Sequence, residues 1–465
     1  MPASSLLLRE VAAALKDQAV NGHTMIKADG KKLQAARNAK EVSPGKTLTQ
    51  EGLVSMLQAE GVDIAERTLQ KYEATGKVPR SVLQTIADVL DVPFDSLLAA
   101  DQAPWWIPQP EWDKARNSPG MLLQAEMAIV PFQFRKQDLA ALQAWCVDRS
   151  PLRIRLVHGK GGMGKTRLAL QFCRHMRDDK GWRAGFLNYD LFQRNNEQWD
   201  PLLDQNEPLL LVFDYAESRV EEIAWLLARI SSAPPFNIRI LLLARHVGDW
   251  WKVLKSHRVC GDLLASAALD VDALRPAIPE TDRSQSYNDA GRAFSAKLGK
   301  HWPGTMPEDI QSSLYDQVLL LHIRALACLE GEKPAGEKAI LDYLLSRERR
   351  FWREQLEVRR LDATLHAAVE EAMVSITANG GKKTPQDGME LLNVLPSLKG
   401  RPADVLIALN NLMSDCYPGD QWIEPVRPDL FGEHLFGGGL TSNPALKGAV
   451  FAEVRKAARD RKGRV

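Results

Sequence analysis

Gly159, Gly164, Lys165 and Thr166 have the types and the spacing to hold phosphate. They occupy the fixed places of G-x-x-x-x-G-K-[ST] in the text LVHGKGGMGKTRLAL, residues 156–170, with Gly161 and Gly162 between them. Glycines let a loop wrap round an anion so that several backbone N–H groups point inward. A helix starting near Lys165 would present its positive end to the same anion. Lys165 would reach the β- and γ-phosphates, and the Thr166 hydroxyl would serve Mg²⁺. The apolar run Ile154, Leu156, Val157 predicts a strand before the loop, and the amphipathic pattern after it predicts a helix. That context makes the phosphates of a nucleoside triphosphate the expected ligand.

Two further runs end in groups suited to the same chemistry. PLLLVFDYAES reads as a buried parallel strand that delivers Asp214 at its carboxyl end, where α/β proteins place their ligands. Asp214 would hold Mg²⁺ together with Thr166. Glu217 would orient or deprotonate the attacking water, unless it is an exposed or helix-capping acid. NIRILLLARHVGDWW is a second such strand ending at Arg245. An arginine there can touch the γ-phosphate; a surface ion pair is the alternative. Before the loop, VPFQFRKQDLAALQAW predicts an extended piece and a helix, with Phe132, Phe134 and Arg135 placed to line the base. The spacings fit one strand-helix unit between successive motifs, hence one parallel sheet.

Around these elements the chain of 465 residues is long enough for roughly three domains at about 150 residues each. A net charge of +1 gives no whole-chain attraction to nucleic acid or anionic membrane. Five scattered cysteines without a CxxC argue against zinc and disulfides and suit a reducing cytoplasm. No apolar stretch reaches membrane-spanning length. Residues 1–100 show helical periodicity without strand-like alternation. Thr49 is a plausible helix cap, and Leu53, Val54, Leu57, Leu69 and Tyr72 form the inward stripe. Pro104, Pro108, Pro110 and Pro119 make residues 101–129 a linker, which Trp105, Trp106 and Trp112 would pin to a surface.

Two resemblances follow. Gln50 at the start of one helix, the turn at Gly61-Val62, a second helix carrying Arg67, Gln70 and Lys71 outward, and the Glu73…Gly76…Pro79 exit resemble the helix-turn-helix of Cro/phage-repressor regulators. The likeness implies duplex DNA contacts through residues 30–80, with Arg67, Gln70 and Lys71 toward base edges and Gln50 toward a phosphate. Four Lys/Arg against eight Asp/Glu over residues 51–100, a net of −4, oppose DNA binding and favour recruitment of a protein, whereas Lys31, Lys32, Arg37, Lys40 and Lys46 favour DNA. GKGGMGKT, LLLVFDYAE and ILLLARHVGDWW together resemble bacterial STAND-class NTPases, the class of NB-ARC and NACHT proteins. An acid pair often follows the Walker aspartate in that class, but here Glu217 stands alone, against efficient hydrolysis.

The predicted fold is therefore an α/β P-loop NTPase core with a parallel sheet, flanked by an all-α N-terminal helix-turn-helix domain and by C-terminal helical and winged-helix domains. The expected boundaries are 1–100, 101–129 (linker), 130–270 (core), 271–360 (helical lid) and 361–465 (winged helix and basic tail). The STAND resemblance implies ATP or ADP with Mg²⁺, nucleotide-dependent self-association, and a β-phosphate contact from His434 in RPDLFGEHL, unless that is an ordinary half-buried histidine. Relatives usually continue into sensing repeats, and none is found here. The expected function is a cytoplasmic ATP/ADP switch with slow ATPase activity and DNA-binding output in transcription, stress or antiphage defence; a nucleotide-operated scaffold recruiting an effector stays open.

Overall fold

The computed structural model describes residues 25–28, 30–43, 46–60, 62, 64–90, 92, 97, 117–148, 150–187, 208–232, 237–257, 261–264, 268–419, 421–443, 446–448 and 450. The linker tryptophans, Cys260 and the basic tail lie outside them.

The N-terminal module alternates strand and helix: β1 (Met25–Lys27), α1 (Gly30–Ala39), β2 (Glu41–Ser43), β3 (Lys46–Thr47), α2 (Gln50–Ala59), α3 (Glu66–Thr75), β4 (Lys77–Pro79) and α4 (Arg80–Leu90). The all-α expectation is corrected, because β1 pairs with β4 and β2 with β3, both antiparallel. Strands of two or three residues are too short to display an alternation in sequence. Thr49 does cap α2, its hydroxyl accepting from the Gly52 amide at 3.0 Å. Gly76 ends α3 at φ +68°, a left-handed cap that glycine adopts without strain. Leu33, Leu53, Leu57 and Leu69 form the centre of an apolar cluster confined to this module.

The middle of the chain forms a five-stranded parallel sheet from β5 (Leu152–His158), β6 (Arg183–Phe186), β7 (Leu209–Phe213), β8 (Ile238–Ala244) and β9 (Ala268–Ala273). Strand order β6-β7-β8-β5-β9 places β5 inside, with β8 on one side and β9 on the other. Strands β7 and β8 are buried at every position, as near-continuous Leu/Ile/Val runs require when helices cover both faces. The helices are α5 (Lys136–Cys146), α6 (Lys165–Asp178), α7 (Val220–Ser232) and α8 (Asp249–Ser256). In the run WRAGFLNYD, residues 182–190, the strand covers Arg183–Phe186, and the last three positions lie outside the described residues.

Residues after β9 are helical: α9 (Arg283–Leu298), α10 (Val318–Cys328), α11 (Gly336–Val358), α12 (His366–Asn379), α13 (Pro385–Val394), α14 (Ala403–Cys416) and α15 (Asp429–Ser442). Where the wing of a winged helix is expected, the described residues hold one isolated antiparallel bridge, Lys382 to Ile423. A single apolar cluster runs through α9 to α15 and includes Leu122 from the expected linker. Residues 117–124 are accordingly part of the packed body. The Ser118 amide donates to the Cys416 carbonyl at 3.0 Å. The Ser118 hydroxyl and the Gly120 amide donate to Glu348 Oε1 at 2.5 and 2.6 Å, and the Tyr417 hydroxyl to Oε2 at 3.0 Å.

Glu348 is wholly buried, and burial pushes its carboxyl above the usual range against the pull of these donors. Glu348→Ala strands the Ser118 and Tyr417 hydroxyls at roughly 1–3 kcal/mol each, before any relaxation, and leaves the Gly120 amide only the Ser118 oxygen at 3.1 Å. A urea midpoint well below that of the wild type is expected; an unchanged midpoint would show that the donors find other acceptors.

Candidate functional site

The parallel pairing of β5 with β8 sets His158 opposite Ala244, so Gly159 and Arg245 leave the same edge of the sheet. The Gly159 amide donates to the Ala244 carbonyl at 3.1 Å. Pairing of β7 with β8 sets Phe213 opposite Leu242 and brings Asp214 to that edge. The strand order reverses direction beside β5, the place where open α/β sheets bind ligands.

The phosphate loop has the geometry its glycines predict. Gly162 and Gly164 have φ of +76° and +87°, and α6 begins at Lys165. Lys165 Nζ bridges the loop, donating to the carbonyls of Gly159 at 2.6 Å and Lys160 at 3.0 Å. Burial pulls its ammonium below the usual range, while the carboxylates of Asp214 and Glu217 oppose the shift. The Thr166 hydroxyl donates to Asp214 Oδ2 at 2.8 Å, and the Tyr215 amide donates to Oδ1 at 3.0 Å. Tyr215 sits at φ +55°, uncommon for a bulky residue and tolerated here where the chain turns out of the sheet. Burial raises the Asp214 carboxyl to about 6 despite these hydrogen bonds.

The donor set fits Mg²⁺: one hydroxyl and one carboxylate, both hard oxygen ligands, already in contact. Such an ion takes its remaining ligands from phosphate and water, so a larger protein cluster is not required. Among the described residues no group of three or more His, Cys, Asp or Glu could form one.

Glu217 Oε1 accepts the Arg245 amide at 3.2 Å, while its buried Oε2 has no hydrogen-bond partner among the described residues. The Arg245 guanidinium pairs with Asp429 Oδ2 at 3.0 Å and with Glu433. Both acids lie on α15, and Leu430 beside them faces the Gly161 and Gly162 turn. Residues 122–135, the loop, α10 and the start of α15 enclose a cavity of about 200 Å³, with Asp214, Glu217 and Arg245 in its wall.

Four of the expected site residues are engaged with other protein groups. Arg135 does line the cavity, but its guanidinium is directed to the carbonyls of Met163 at 2.7 Å and Arg275 at 2.8 Å and to Asp138 at 2.9 Å; it braces the loop. His434 does not line the cavity: its Nε2 pairs with Asp342 at 2.7 Å. The cause is helical phase, since Asp429 and Glu433 are four residues apart and share a face, whereas His434 is about 100° further round. Gln50 is held within the N-terminal module, donating to Glu73 Oε2 at 2.6 Å, and Gln70 donates to Gln50 Oε1 at 3.3 Å. Arg67 and Lys71 are exposed on α3.

Residues 117–257 match the family described as Novel STAND NTPase 5. Among curated proteins no match to the chain is found. Solved structures similar to it include the Aeropyrum pernix ORC2 protein in ADPNP-ADP complexes, at 14% identity over 70% of this chain and 96% of that one, TM-score 0.32. The Cdc6p of Pyrobaculum aerophilum is 12% identical over 73% and 100%, TM-score 0.31. Closed-state Hsp104 bound to ATPγS and casein is 12% identical over 62% and 53%, TM-score 0.30. The parallel sheet, the loop and the family match together are those of an α/β P-loop NTPase core similar to STAND NTPases. Among the described residues no helix is long and apolar enough to cross a membrane.

Lys165→Ala removes the ammonium that bridges the loop but no core packing. Charge-assisted bonds of about 1.5–3 kcal/mol predict ATP and ADP affinities lower by roughly 10- to 100-fold, with an unchanged thermal midpoint. Calorimetric affinity equal to the wild type's would remove the loop from the binding site.

Proposed function

We propose that the chain is an ATP/ADP-regulated switch whose N-terminal module delivers the output by binding duplex DNA. The observation that carries this reading is the pairing of Arg245, at the tip of β8, with Asp429 and Glu433 of α15. A diphosphate on the loop leaves that ion pair intact. A γ-phosphate brings further negative charge toward Arg245 and within range of Asp429, so the carboxylates and the phosphate compete for one guanidinium. Triphosphate then weakens the hold of α15 on the site, whereas diphosphate preserves it. Such a ligand shifts the equilibrium only by its differential affinity for the two states.

Mg²⁺ held by Thr166 and Asp214 supplies neutralising charge to the phosphates. Glu217 keeps one carboxylate oxygen unpaired toward the cavity, the place for a water that attacks slowly. Opening would expose the surfaces for self-association. The second reading, a scaffold that recruits an effector protein, is favoured by the internal hydrogen bonds of Gln50 and Gln70 and by the net charge of −4 over residues 51–100.

Asp429→Asn removes one competitor for Arg245 while keeping its shape. The ratio of ATP to ADP affinity is expected to rise about tenfold, the equivalent of about 1.4 kcal/mol; a ratio unchanged by the substitution would detach α15 from nucleotide sensing. For the output, fluorescence anisotropy with mixed duplex pools should show DNA binding mainly with ATP or a non-hydrolysable analogue. It should be lost in Arg67→Ala with Lys71→Ala while nucleotide affinity is kept. Association lets several weakly basic modules act together, which a single module with this charge cannot do alone. No binding in either nucleotide state, at low salt and micromolar protein, would assign the module to protein recruitment.

A further inference from the structure

The cavity does not end at the phosphate loop. It continues between residues 125–134 and the helices α9 and α10, where Val130, Phe132, Ile278 and Phe294 form its walls. Helix α10 starts on the loop: the Leu319 amide donates to the Gly162 carbonyl at 3.1 Å, and a Cβ at Gly164 would lie 3.6 Å from Val318. Three residues after Leu319 and four after Val318, His322 occupies the same face about 5–6 Å further along the axis. It also lines the cavity, with the Phe294 ring edge-on at 6.4 Å. Ser286 on α9 lines it as well and is only 4% exposed.

Neither the His322 ring nor the Ser286 hydroxyl is hydrogen-bonded to another described residue, unlike most buried polar groups. Burial, with the Arg167 charge assisting, lowers His322 to about 4, so at neutral pH the ring is uncharged, with one N–H and one lone-pair nitrogen. Arg167, which also lines the cavity, donates to the carbonyls of Ala125 at 3.3 Å and Val130 at 3.5 Å. Apart from Gln124, Gln133, Arg135 and Arg167, the remaining side chains of this part of the wall are apolar and suit a planar ring. Two unpaired groups that both donate and accept match the mixed donor and acceptor edge of adenine. Guanine's adjacent N1–H and N2–H₂ donors call for a pair of acceptors such as a carboxylate. Among the described residues, the carboxylates in the cavity wall are Asp214, Glu217 and Asp429, and all three stand at the phosphate end.

We propose that His322 and Ser286 read the edge of the nucleobase and set a preference for adenine over guanine nucleotides. This rests on the reading that Gly159–Thr166 holds the phosphates. An unmet hydrogen bond in such a pocket is selective because the wrong base strands buried groups.

The test compares three probes by calorimetry: MgADP, MgGDP, and magnesium pyrophosphate, which has phosphates and no base. In His322→Leu and Ser286→Ala, ADP affinity should fall about tenfold, the ADP-over-GDP ratio should shrink, and pyrophosphate affinity should stay as in the wild type. His322→Gln, which keeps a neutral donor and acceptor, should recover part of the ADP affinity; it also serves if the leucine variant fails to fold. Unchanged ADP affinity and an unchanged ADP/GDP ratio in the Gln and Ala variants would overturn the assignment. Wild-type protein that binds none of the three probes would overturn the phosphate site itself, a distinct outcome.

Discussion

The site depends on the backbone ladder between β5 and β8. Seven residues of each strand pair in parallel, from Leu152 with Ile238 to His158 with Ala244, and this register decides which residues emerge together at the carboxyl edge. A slip of one residue would turn every side chain to the opposite face and bury Arg245 or retract it from the loop. The slip is opposed because β5 alternates: Leu152, Ile154 and Leu156 pack into one apolar core, whereas Arg153 and Arg155 on the other face pair with Asp270 and Asp272 of β9. Placement of the phosphate loop, Asp214 and Arg245 is thus a property of the sheet, paid for by apolar burial far larger than any one contact at the site.

Charge balance then links the sheet to the rest of the chain. Lys165 and Arg245 stand among Asp214, Glu217 and Asp429, and Glu433 joins Asp429 in pairing with Arg245. Burial is the main cause of the raised Asp214 carboxyl, and the charges of Asp429 and Glu126 push in the same direction. Such a site has a place for Mg²⁺ at Thr166 and Asp214. It also gives α15 a reason to respond to the charge of a bound ligand, since Arg245 is shared between the sheet and that helix.

Much of this could be read from local patterns. The loop, the two apolar strands and the residues at their ends are each contiguous in sequence, and a parallel sheet with short connections leaves few ways to arrange them. Contacts between distant segments left no such mark. Asp429 meets Arg245 across 184 positions, and RPDLFGEHL pointed to the right helix but the wrong face of it, because His434 differs from Asp429 by five positions and not by three or four. Arg135 lines the cavity, yet nothing in its sequence neighbourhood revealed that carbonyls of Met163 and Arg275 would take its donors. Ser286 and His322 belong to helices whose patterns are those of ordinary core packing. The short strands of the N-terminal module and the bonding of Gln50 to Glu73 were likewise invisible to periodicity.

The central claim is that the ion pair between β8 and α15 holds a closed, diphosphate-bound state. Its most direct measurement is chromatography of the nucleotide released when freshly purified, untreated protein is denatured. The account predicts ADP in near-stoichiometric amount, retained through dialysis against Mg²⁺-containing buffer. Protein that carries no nucleotide, binds ADP no more tightly than ATP, and exchanges both within seconds would contradict it.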